Sequence, residues 1–127
     1  MRHLLWLDCA GGLLVGSAML ILSGWLLPLY RMPALLYYGI AVANLAYGCF
    51  SLSVALRKNR PIGVVAVLAM ANGAWGIFCL AAAPLFYGQL SLLGLGHLVL
   101  EAGFVLWLGW TEWRFRHLLA APCLGLR

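Results

Sequence analysis

Residues 91–110 read SLLGLGHLVLEAGFVLWLGW, a stretch apolar enough to cross a bilayer that nonetheless carries Glu101 halfway along. An acid at the centre of a hydrocarbon-spanning helix is costly, so its presence points to a use. His97 lies four residues earlier, which on a helix puts both side chains on one face about one turn apart. The rest of the chain is read outward from this segment.

The chain has 127 residues, of which 65% are hydrophobic and only 9% charged. That leaves too little polar surface to cover a water-soluble globule, and the expected class is an all-α membrane protein. Cys9 to Tyr30, Met32 to Leu56 and Pro61 to Gly96 contain no Asp, Glu, Lys, Arg or His. A crossing takes about 20 residues. The expected fold is a four-helix transmembrane bundle forming one domain over 1–127, with helices at about 4–27, 34–56, 62–83 and 91–111 and a basic amphipathic tail over 112–127. Pro28 is expected to end the first helix and Pro122 the tail helix. No small-residue cleavage site follows the first apolar run, so it is read as a retained helix rather than a signal peptide.

Arg2, Arg57, Lys58, Arg60, Arg114, Arg116 and Arg127 fall at the N-terminus, in the second loop and in the tail, against Arg31 alone in the other two loops. By the positive-inside rule both termini and the middle loop are expected on the cytoplasmic side of a bacterial inner membrane. The net charge of +5 is assigned to topology and to anionic lipid headgroups, not to nucleic acid. The four cysteines, at positions 9, 49, 79 and 123, make no CxxC. That argues against a thiol–disulfide enzyme, and they are read as small packing residues.

The second and third helices contain an internal echo. Residues 41–50 read AVANLAYGCF and residues 69–78 read AMANGAWGIF, sharing Asn44/Asn72, Gly48/Gly76, Phe50/Phe78 and three alanines, with an aromatic at Tyr47 and Trp75. Consecutive helices cross in opposite directions, so the copies would be antiparallel, the local form of an inverted repeat. Gly12 and Gly16 in the first helix form a GxxxG, a face for close approach either within the chain or between copies. Gly48 and Gly76 are read as further packing points.

Asn44, Asn72 and Glu101 are expected at similar depth, with His97 one turn away and Trp75 nearby. Together they form a candidate proton or ligand site. In hydrocarbon the charged form of Glu101 is disfavoured unless His97, the amides or water stabilise it. Such a carboxyl can exchange a proton near neutral pH, as a proton-coupled carrier requires, or hold a cationic ligand. Asp8, about a turn inside the membrane, is expected to pair with the basic loop at its own end, the alternative being a secondary part, with Trp75, in the proton or ligand site. A metal site wants three or four ligands, and His97 with Glu101 supplies two, so neither metal nor other cofactor is expected. No Ser/His/Asp set, paired acids or phosphate loop is found, so no catalytic residue is named.

Leu7-Asp8, Asn72-x-x-Trp75, Glu101 and Glu112-Trp113-Arg114 resemble marks of small four-helix bacterial inner-membrane proteins of no established activity. In size and helix count the chain is also similar to the small multidrug resistance transporters. Those place their essential acid in the first helix, whereas here it is in the fourth, so the likeness is architectural.

Two functions of different class remain open. One is a proton-linked carrier of a small cationic or lipophilic molecule. The other is a non-catalytic scaffold or accessory subunit whose polar residues hold helices together. A membrane-embedded lipid enzyme is a third. A homo-oligomer or a partner membrane subunit is expected in either main case, because four short helices would hardly enclose a solute-sized cavity alone.

Overall fold

The computed structural model describes residues 2–120, and these form helices only: α1 Arg2–Ile21, α2 Ser23–Tyr30, α3 Ala34–Leu56, α4 Ile62–Leu85, α5 Leu92–Arg114 and α6 Arg116–Ala120. Pro122, Cys123 and Arg127 lie outside the described residues. Four helices, within α1, α3, α4 and α5, are long and apolar enough to cross a membrane. At 1.5 Å per residue, the 23 residues of α3 reach about 35 Å, enough for a hydrocarbon core of roughly 30 Å.

The sorting of side chains is the reverse of that in a water-soluble bundle. Asp8, Asn44, Ser51, Asn72, Glu101 and Glu112 are buried, while Leu14, Ile21, Trp25, Leu35, Ile77, Leu100, Trp107 and Trp110 face outward. A soluble bundle would point its apolar stripes inward and its charges out. Here the outer surface suits lipid, and the chain is built as a multi-pass membrane protein.

Three helix ends differ from the sequence expectation. The first helix does not run unbroken to Leu27: it is interrupted at Leu22, next to the Ser23–Gly24 pair, a combination that commonly kinks helices. The new segment, α2, then passes through Pro28 and stops at Arg31, whose φ of 51° is left-handed. The third spanning helix continues past Ala83 and through Pro84 to Leu85. The fourth runs three residues further than 111, to Arg114. Its start is capped by Ser91, whose hydroxyl accepts the Gly94 N–H.

The bundle is two antiparallel pairs. α1 lies along α3 and α4 along α5, whereas α1 meets α5, and α3 meets α4, at few points. Each end is closed by an apolar cluster. Met19, Met32, Tyr37, Ile40, Cys79, Ala82 and Leu98 fill one end, and Leu5, Ala55, Val65, Leu68 and Leu119 fill the other. At that second end Arg60 donates to the carbonyls of Val54, Ala55 and Leu119, tying the end of α3 to α6.

Glycine sets the spacing inside each pair, and it does so twice in the same way. A Cβ on Gly16 would stand 2.8 Å from the Ala41 carbonyl and 2.9 Å from Leu45 N, and one on Gly109 would stand 2.9 Å from the Ala69 carbonyl and 3.1 Å from Gly73 N. Gly48 faces Leu13 across the first pair, and Gly76 faces Leu106 across the second. One sequence offset carries Leu13 and Gly16 onto Leu106 and Gly109, and another carries Ala41, Leu45 and Gly48 onto Ala69, Gly73 and Gly76. The two pairs are therefore related by an approximate two-fold axis, perpendicular to the helices, that exchanges α1 with α5 and α3 with α4. The GxxxG of α1, Gly12 and Gly16, is spent on α3 within the chain.

Replacing Gly48 by Ala would put the new methyl 2.8 Å from the backbone nitrogen of Leu13. This substitution is expected to destabilise by about 1–3 kcal/mol through overpacking. Gly103 has nothing within 4 Å of its would-be Cβ, so Gly103→Ala is expected to leave stability unchanged or raise it by up to about 1 kcal/mol, the helix-propensity gain. Unfolding midpoints of the two variants in detergent micelles check both signs.

Candidate functional site

Between the two pairs lies a chamber of about 450 Å³, lined by residues of all four spanning helices. This is within the usual range for small-molecule sites. Its walls are mostly Gly, Ala, Val, Leu and aromatic groups, with Asp8, Asn44, Asn72, His97 and Glu101 as the polar lining. A single chain thus leaves a solute-sized space between its helix pairs.

Glu101 sits on the inward stripe of α5, with Leu98, Val105 and Leu108. Its Oε1 accepts from Asn44 Nδ2 at 2.6 Å and from Trp75 Nε1 at 2.7 Å. Its Oε2 lies 2.7 Å from His97 Nε2. Tyr30 Oη is 3.1 Å from the other imidazole nitrogen, Nδ1, and the rings sit 5.2 Å apart. The assignment that satisfies the whole chain is Tyr30 O–H donating to Nδ1, and Nε2–H donating to the carboxylate of Glu101. The His97 side chain is 16% exposed and that of Glu101 7%, so the imidazole is the more accessible of the two.

Asp8 does not pair with the basic loop as its position suggested. It is 2% exposed, and no ion pair to Lys or Arg reaches it among the described residues. The inner face of α1 carries it into the bundle, where Oδ2 accepts from Tyr47 at 2.6 Å and from Ser51 at 2.7 Å. Its Oδ1 accepts from Asn72 Nδ2 at 3.2 Å. A buried carboxyl with three donors needs no external cation to satisfy its hydrogen bonds.

The two asparagines serve different acids. Asn44 reaches Glu101, and its amide also donates to the Ile40 carbonyl. Asn72 reaches Asp8 and Glu112, the latter at 2.9 Å, and makes no bond to Glu101. All of the expected polar residues line one chamber, but as two clusters rather than one. Trp75 belongs to the Glu101 cluster.

Glu112 is the residue sequence reasoning misplaced. It was assigned to an interfacial tail, yet it is fully buried, because α5 stays regular to Arg114. Glu112 lies three turns after Glu101 on the same face, a spacing visible in the sequence. Its Oε1 has no partner among the described residues. Tyr30 and Ser51 carry no signal in the sequence, since a hydroxyl on an apolar helix gives none until its partner is known, and the echo marks Tyr47 without its bond to Asp8.

Among the described residues no three His, Cys, Asp or Glu side chains come together in a way that could hold a metal ion. Comparisons with protein-family models, with curated proteins and with solved structures find no match to this chain. The reading of the site therefore stands on its own geometry.

The Asn44–Glu101 bond joins the two helix pairs. A double-mutant cycle with Asn44→Ala and Glu101→Gln is expected to give a coupling of about 0.6–2 kcal/mol, the range for interhelical hydrogen bonds in membranes. A cycle pairing Asn72→Ala with Glu101→Gln, which share no bond, is expected to give less than about 0.5 kcal/mol.

Proposed function

We propose that the protein is a proton-linked carrier of a small, lipophilic organic cation, with Glu101 as the proton and ligand site. One observation carries this reading. Glu101 lines a chamber of about 450 Å³ together with the groups that hold it.

The chemistry is an exchange of one positive charge for another. A carboxyl that gives up its proton can take an organic cation in its place, so the charge in the chamber stays constant through the cycle. Asn44 and Trp75 fix Oε1, while Oε2 is bonded to His97 alone, so that oxygen is the one with capacity for a ligand. His97, linked to Tyr30 and partly exposed, is a route for the proton to the nearer end of the bundle. The aromatic faces of Tyr47, Trp75 and Phe104 suit a cation with an apolar body.

A second apolar groove of about 460 Å³, on the α3–α4 side, includes Pro33, Leu36, Gly39, Phe78 and Phe86. Trp75 lines both this groove and the chamber. A lipophilic ligand arriving from the bilayer would meet the chamber at that side chain.

We place the protein in a bacterial inner membrane with both termini and the loop between α3 and α4 facing the cytoplasm. The support is the distribution of Lys and Arg, seven on that side against Arg31 on the other. His97 and Tyr30 then lie toward the outer face.

Reconstituted in vesicles with an imposed proton gradient, the wild-type protein is expected to drive accumulation of tetraphenylphosphonium. Glu101→Gln, folded by its melting curve, is expected to abolish it. Normal transport by that variant would remove Glu101 as the proton and ligand site, and no accumulation by the wild-type protein would end the carrier reading in favour of a scaffold whose polar residues only hold helices together.

A further inference from the structure

We infer that the chamber contains two cation sites, and that Asp8 is the second ligand carboxylate, the two-fold counterpart of Glu101. The inference rests on the carrier reading, which by itself needs only Glu101.

The offset that carries Leu13 and Gly16 onto Leu106 and Gly109 also carries Asp8 onto Glu101. The offset relating α3 to α4 carries Asn44 onto Asn72 and Tyr47 onto Trp75. The bonds follow the same exchange. Each acid takes one donor from an aromatic ring of its own helix pair, Tyr47 at 2.6 Å for Asp8 and Trp75 at 2.7 Å for Glu101. Each takes another from the asparagine of the opposite pair, Asn72 at 3.2 Å and Asn44 at 2.6 Å. Both acids line the chamber, as do the matched walls Gly11/Phe104, Gly12/Val105 and Ala43/Ala71.

Because the axis is perpendicular to the helices, the two acids stand at different depths. Asp8 is toward the end filled by Leu5 and Leu68, and Glu101 toward the end filled by Met19 and Leu98. A rocking of one helix pair against the other that opens the Glu101 end has a two-fold image that opens the Asp8 end, which is how inverted repeats alternate access. A cation entering beside one carboxylate leaves beside the other without crossing bare hydrocarbon. The symmetry stops at the flanks: His97 corresponds to Leu4, and Glu112 to Met19. The two sites are equal in their inner ligands and different in their exits.

The test uses the unaltered protein and two reagents. Dicyclohexylcarbodiimide, a lipophilic carbodiimide, adds the O–H of a protonated carboxyl across its C=N bond, and peptide mapping by mass spectrometry reads each acid separately. Tetraphenylphosphonium is the competing cation. Asp8 and Glu101 are both expected to be labelled, and saturating probe to protect each about twofold or more, since a cation shared between two acids covers each about half of the time. Glu112, which does not line the chamber, is expected to label at its probe-free rate. Protection of Glu101 with none at Asp8, or no labelling of Asp8 at all, overturns the second site and leaves the single-site carrier standing. Equal protection of Glu112 overturns it too, because the probe would then be acting through the whole bundle. If neither Asp8 nor Glu101 is protected, the carrier reading falls with it.

Discussion

A carboxyl group held in hydrocarbon must find its hydrogen bonds in the protein, because no water is at hand to supply them. The helical backbone has none to spare, so the donors must be side chains. In this chain they are placed on facing helices: Asn44 on α3 for Glu101 on α5, and Asn72 on α4 for Asp8 on α1. Satisfying either acid therefore requires the two helix pairs to be assembled. Lipid supplies little drive for apolar helices to associate, as tails are as apolar as leucine, and polar bonds of this kind are what join one pair to the other.

The glycines work on a different level. Inside each pair, Gly16, Gly48, Gly76 and Gly109 let backbones come together so closely that a methyl group would collide. Close packing along each pair follows. Between the pairs there is no such seam. Gly11 meets only the ring of Phe104, and Gly73 and Gly103 face open space. Tight contact within pairs and sparse contact between them leaves room at the centre.

Much of this was legible in the sequence. Four spans follow from the apolar runs, and the echo between residues 41–50 and 69–78 names both asparagines, Gly48/Gly76 and the aromatic pair Tyr47/Trp75. The relation between α1 and α5 was not legible. It is carried by few identities, chiefly Leu13/Leu106 and Gly16/Gly109 with an acid at 8 and 101, dispersed among unlike apolar residues. It also joins the first helix to the last rather than neighbours, and becomes visible only when the contacts are compared. Asp8 and Glu112 were misassigned for one reason: an acid near a helix end is ordinarily interfacial. The inward stripes of α1 and α5 run to those ends, since Asp8 and Glu112 meet at Asn72, and depth counted from a helix terminus says nothing of which face a residue occupies.

The two-fold breaks at the flanks of the chamber. A perfectly symmetric chamber would present the same groups at both ends. Here Glu101 is flanked by His97 and Tyr30, joined to it through the two imidazole nitrogens. Asp8 is followed by Asn72 and Glu112, whose Oε1 is buried and unpartnered among the described residues. One acid thus faces an imidazole, which can donate a hydrogen bond to a carboxylate, and the other a second carboxyl held through the same asparagine. The inner hydrogen-bond donors are matched, and it is the flanking groups that distinguish one end of the bundle from the other.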